Sequence, residues 1–117
     1  MIKVKTVEAS ETNMADTEPL SETEIKEKLD ELSIWGIETL DEGRLVCRVE
    51  FDDYRDAVFF ANGVFSLAEQ AFHHPEVKVE YGAVSIDLYT HDAEGLTEKD
   101  FELAEKIEEK VSETDWS

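Results

Sequence analysis

Only one cysteine, Cys47, occurs among the 117 residues, so no disulfide can close within the chain and no thiolate cluster can hold zinc. Basic side chains are also scarce: 11 Lys and Arg stand against 30 Asp and Glu, a formal net charge of −19. A field of that sign repels a phosphate backbone, so direct binding to nucleic acid is not expected. No stretch of about 18 apolar residues is present to span a membrane. Residues 1–19 lack the apolar core of a secretion signal, and a cytoplasmic location is expected. With five glycines and two prolines there is no glycine-rich phosphate loop, no nucleophile elbow and no His-Glu-x-x-His zinc helix.

What is present is enough for one core. Hydrophobic residues make up 41% of the chain, and a domain of this size buries roughly two-thirds of its unfolded surface. Residues 1–19 carry no sustained period and end in a polar run, which reads as a flexible extension, with Met14 a possible alternative start; the domain is expected over 20–117. The acidic surface suits a salt-rich cytoplasm, where counterions screen the self-repulsion, and low salt is expected to weaken both folding and assembly.

Local signals give an ordered set of elements. Ser21-x-x-Glu24 is a capping box, Leu20 and Ile25 occupy staple positions, and Ile25, Leu29 and Leu32 form the apolar stripe of a first helix. Two strands follow, Ile34 to Leu40 and Arg44 to Phe51, joined through Asp41-Glu42-Gly43. Cys47 falls at an inward position of the second strand and reads as a small buried hydrophobe rather than a reactive thiol. Asp52 or Asp53 caps a second helix running to Phe72, before Pro75. Its apolar positions cover about half the circumference, wider than an ordinary core stripe, and Phe59 lies outside that arc. Such a helix is expected to pack both on its own sheet and on a partner copy, so the 53–72 helix should carry a homodimer or homotetramer contact. A second hairpin alternates through Val77, Val79 and Tyr81, then Val84, Ile86 and Leu88, and Thr97-x-x-Asp100 opens a final helix. The order α-β-β-α-β-β-α predicts an α+β fold: a four-stranded antiparallel sheet with three helices packed on one face.

All three histidines fall inside one pattern: Glu69-x3-His73-His74-Pro75-x5-Tyr81-x9-His91-x8-Asp100. Imidazoles titrate near neutrality, and such a concentration beside carboxylates points to proton transfer. This constellation, continued through Thr90 to Ala104, resembles the signature of the pterin-4a-carbinolamine dehydratases, also called 4a-hydroxytetrahydrobiopterin dehydratases. The resemblance runs from about Leu20 to about Val111. It implies an α+β domain, commonly a homodimer or homotetramer, that removes water from a 4a-hydroxytetrahydropterin to give quinonoid dihydropterin. Neither a cofactor nor a metal is implied, because the pterin is itself the substrate.

The resemblance makes His73, His74 and His91 the catalytic set, with His73 and His91 transferring protons and His74 holding the pterin. Which of the two is acid and which is base is left open. Glu69, Trp35, Thr90 and Asp100 are the implied substrate-binding residues. Each has a plainer explanation: Glu69 as a solvated helix charge, Trp35 as core, Asp100 as the third residue of a capping box. Pro75 and Tyr81 are taken as structural. A metal site using the histidines with Asp92 or Glu69 is disfavoured, since adjacent histidines rarely reach one ion without strain. One departure from the family pattern is Glu94, where two glycines commonly precede the Leu-Thr of the last motif. The alternative function is a non-enzymatic one, a coactivator-like or chaperone-like binding or assembly factor on the same fold.

Overall fold

The computed structural model describes residues 18–38 and 43–113. The expected extension therefore lies almost wholly outside the described residues, as does the end of the expected first strand at 39–40. Helix α1 (Glu22–Asp30) is followed by β1 (Gly36–Glu38), β2 (Arg44–Glu50), α2 (Tyr54–Ala71), β3 (Glu76–Glu80), β4 (Ala83–Leu88) and α3 (Glu98–Glu113), with a short 3-10 turn at His91–Ala93. The strands form one antiparallel sheet in the order β1-β2-β4-β3, so the predicted architecture is the observed one.

Each helix starts where its side chains can satisfy the free amides of the first turn. In α1 the Ser21 hydroxyl accepts from the Glu24 amide and the Glu24 carboxylate accepts from the Ser21 amide, a complete capping box. Those two contacts, backbone first, hold the Glu24 carboxyl below its usual range. Asp53 rather than Asp52 caps α2, accepting from the Asp56 amide at 2.9 Å.

The two hairpins are locked in register by their inward residues. Cys47 stands opposite Ile86, which stands opposite Val77; Val49, Val84 and Val79 make the next row. Since a slip of one residue would turn every one of these side chains to the other face, the alternation itself specifies the pairing. The core gathers Trp35, Leu45, Phe60, Val64, Ile86, Leu88, Leu103 and Ile107 between sheet and helices. On the outer face Arg48 binds Glu80 from the neighbouring hairpin; that pair is solvent-exposed and stabilises little.

The wide apolar arc of α2, which also includes Phe65 and Phe72, is only partly covered within the chain. Ala57, Phe60, Ala61, Val64 and Ala68 are buried, but Phe65 and Phe72 are exposed, like Phe59. In a single copy one sheet and one neighbouring helix cover only the narrower stripe.

Burial of Cys47 pushes its thiol up to about 12 from an ordinary 9.0, with Glu108 and Asp87 adding to the effect. The native state thus keeps the proton that the unfolded chain releases above pH 9. Stability from this group is complete below pH 9 and is lost as pH rises towards 12, by up to ~1.4 kcal/mol per pH unit. Urea midpoints of the wild type and Cys47→Ala, compared from pH 8 to 11, should run parallel below pH 9 and converge above it. Parallel curves over the whole range would mean that the thiol titrates normally.

Candidate functional site

Helix α2 ends by turning left-handed. Phe72 adopts φ 54°, ψ 37°, its amide donates back to the Ala68 and Glu69 carbonyls, and the His73 amide donates to Ala68 O at 3.1 Å. This reversal satisfies the last carbonyls of the helix and points successive side chains to different sides. His73 reaches inward to Asp100, Nε2 to Oδ1 2.5 Å, while His74 stays outside and meets Glu69 Oε1 at 3.1 Å.

His91 is placed by a second tight loop. Thr90 and Gly95 pair backbone to backbone, and between them the 3-10 turn carries His91 and Asp92. The turn closes on Glu94 at φ 56°. That conformation suits glycine, which explains why two glycines are usual at this point in the pattern this chain resembles; Glu94 is accommodated at a strain on the order of 1 kcal/mol. The ring of His91 meets Tyr89 edge-on at 5.1 Å, and the Arg44 guanidinium covers the Tyr89 ring, also at 5.1 Å.

Asp100 joins the two histidine segments. Its carboxylate is fully buried and takes three donors: the His73 ring, the Thr90 hydroxyl at 2.7 Å and the Thr97 amide at 2.9 Å. The hydrogen positions follow from this arrangement. An ionised carboxylate only accepts, so His73 presents an Nε2 proton to it, and in the neutral form of that ring Nδ1 is the unprotonated nitrogen. Thr90 has spent its proton on Asp100, so the Thr97 hydroxyl, 3.0 Å away, must donate to Thr90. Asp100 thus closes the start of α3, as its capping position anticipated, and also holds the His73 ring, a contact that its reading as a substrate-binding residue did not include.

The result is an open cavity of about 260 Å³ lined by Phe72, His73, His74, Tyr89, Thr90, His91, Asp92 and Lys99. All three histidines and Thr90 face it. Asp100 lies behind His73, and Glu69 sits beside His74 outside the lining. Trp35 is a core residue that does not line the cavity. Sequence reasoning missed Thr97, Tyr89, Arg44, Phe72 and Lys99. Thr97 had a signal as a helix cap, whereas the others are brought in only by the way two loops face each other. Among the described residues no group of three or more His, Cys, Asp or Glu is placed to hold a metal ion, and no helix is long and apolar enough to cross a membrane.

Comparison with known proteins finds the same family by sequence and by fold. The sequence profile described as "Pterin 4 alpha carbinolamine dehydratase" matches residues 18–110. A protein of Nostoc punctiforme, provisionally named a pterin-4-alpha-carbinolamine dehydratase, is 43% identical over 91 residues, covering 78% of this chain and 95% of its own. One of Haloarcula marismortui, with the same provisional name, is 44% identical over 94 residues, covering 80% and 95%. The crystal structure of a transcriptional coactivator/pterin dehydratase from Brucella melitensis superposes with a TM-score of 0.72 at 32% identity, covering 77% of this chain and 95% of that one.

Removing the buried carboxylate should cost far more than a surface change. Asp100→Ala strands the Thr97 amide and the His73 ring, and urea denaturation should record a loss of roughly 3 kcal/mol. Thr97→Val, which deletes one hydroxyl, should cost about 1 kcal/mol. A loss under ~0.5 kcal/mol for Asp100→Ala would show that this carboxylate does not hold the site together.

Proposed function

The chain belongs to the pterin 4 alpha carbinolamine dehydratase family, and we propose that it removes water from 4a-hydroxytetrahydrobiopterin-type carbinolamines, in the cytoplasm, as a step of pterin cofactor recycling. The observation that carries this reading is the meeting of His73, His74 and His91 on one cavity, with His73 anchored to a buried carboxylate.

The reaction breaks the C4a–O bond, forms a C4a=N5 double bond and releases the N5 proton. Two proton transfers are needed, one to the departing oxygen and one from N5, and electrons are neither gained nor lost. His73 is the base in this scheme. In its neutral form the ring offers Nδ1 as the acceptor, and the Asp100 carboxylate at Nε2 meets the positive charge that forms when Nδ1 takes a proton. His91, on the opposite loop, delivers the proton that turns the 4a-hydroxyl into water. His74, lightly tethered to Glu69, holds the pterin edge, and Thr90 fixes the wall between them. The weak His74–Glu69 contact leaves that ring able to adjust to the bound substrate.

Stopped-flow measurement of carbinolamine dehydration tests the reading directly. His73→Ala and His91→Ala should each lower kcat roughly 100-fold, and His74→Ala should act mainly on KM. A wild-type rate equal to the uncatalysed one, in folded protein at adequate salt, would sink the dehydratase assignment. It would favour instead the binding or assembly role on this fold, which the coactivator description of the Brucella relative and the exposed aromatic side chains of α2 support. Equal rates in all three variants would remove the histidine roles alone.

We further propose that copies associate through α2 as a homodimer or homotetramer. In a chain with 35% charged residues, the 18 residues of α2 include only Arg55, Asp56 and Glu69, and they expose Phe59 and Phe65. In a chain of net charge −19, a charge-poor aromatic face is the one best suited to let two copies approach. Sedimentation at high salt should give a multiple of 13.3 kDa for the wild type and a shift towards the single chain for Phe59→Asp. A wild type that stays at one chain mass up to high concentration would exclude this contact.

A further inference from the structure

We propose that Phe72 is a specificity-determining residue whose ring stacks on the flat face of the bound pterin. The inference rests on the dehydratase reading and deepens it. The position is built for another kind of residue. At φ 54° the backbone is left-handed, a conformation that glycine adopts freely and that asparagine tolerates, whereas a bulky aromatic there is an outlier. Only Phe72 and Glu94 among the described non-glycine residues take a positive φ. They flank the two histidine segments, Phe72 directly before His73 and Glu94 closing the turn that carries His91.

The bonds that close the helix here need only the backbone, so they do not account for an aromatic side chain at this position. Phe72 is 79% exposed, more than any other large hydrophobic side chain described, so core packing does not explain its presence on a surface carrying a net charge of −19. Phe72 instead lines the cavity beside His73 and His74. The other aromatic carbocycle of the lining, Tyr89, is buried and already engaged by Arg44 and His91. The polar lining can serve the nitrogen and oxygen edges of a pterin, and Phe72 supplies the one free apolar plane for its face. A strained, solvent-facing aromatic beside proton-transfer groups fits a side chain held for ligand contact at some cost to stability.

Binding of 7,8-dihydrobiopterin, a pterin with no 4a-hydroxyl to lose, separates this contact from catalysis. Fluorescence titration of wild type, Phe72→Asn and Phe72→Tyr should show Kd raised roughly tenfold in the asparagine variant and changed less than about twofold in the tyrosine variant. The asparagine variant should also melt several degrees higher, because the left-handed strain is relieved. In dehydration kinetics its KM should rise more than its kcat falls. Equal binding by wild type and Phe72→Asn would overturn this inference and leave the dehydratase reading standing. No binding by the wild type would overturn both. A lower melting temperature together with loss of assembly in Phe72→Asn would place the ring between copies of the chain and would also overturn it.

Discussion

The structure turns on one buried carboxylate. Asp100 accepts from His73 at the end of α2, from Thr90 at the end of β4 and from the Thr97 amide just ahead of its own helix α3. Burying a charge is unfavourable unless its lone pairs are occupied, and here three donors from three segments occupy them. The arrangement is therefore cooperative: each donor is worth more because the others are present. It also explains how residues 27 and 10 positions away from Asp100 in sequence come to share one small site.

The sheet supplies the frame on which that convergence depends. β4 is paired on both sides, by β2 and β3, and its inward residues Val84, Ile86 and Leu88 are fully buried, so the strand end that delivers Tyr89, Thr90 and His91 is rigidly placed. α2 lies against the same core through Phe60, Val64 and Ala68, which sets where its last turn can deliver His73 and His74. Both deliveries end in left-handed residues, Phe72 and Glu94. Rigid elements followed by abrupt reversals put short loops, rather than long mobile ones, around the cavity.

Much of this was legible in the residues themselves. The capping box at Ser21, the cap at Asp53 and the alternation through Leu45, Cys47 and Val49 and through Val84, Ile86 and Leu88 are local signals, and they survive because nothing tertiary opposes them. The histidine pattern pointed to the cavity that the three rings now share. What was not legible depends on facing surfaces. Asp100 looked like an ordinary third residue of a helix cap, and only the fold shows that the same carboxylate reaches His73. Thr97, Tyr89 and Arg44 carry no spacing signal that links them to a histidine. The α2 arc is wider than one sheet and one neighbouring helix cover, and periodicity alone does not say which of its residues the single chain leaves exposed, here Phe65 and Phe72.

Helix α1 stands apart from this tightly held centre. None of its residues is fully buried, and its surroundings are tied to the rest by few bonds: the Leu20 amide to Leu96 O, the Ser33 and Ile34 amides to the Glu108 carboxylate, and the Lys28–Glu98 pair, whose carboxylate raises the Lys28 ammonium above its usual range. Ile25 and Leu29 also pack against the core from this helix. Two of the ties, at Leu96 and Glu98, lie on either side of Thr97, so the outermost helix leans on the segment that opens α3 and feeds the Asp100 network. A change that loosens this rim therefore reaches the proton-handling loops.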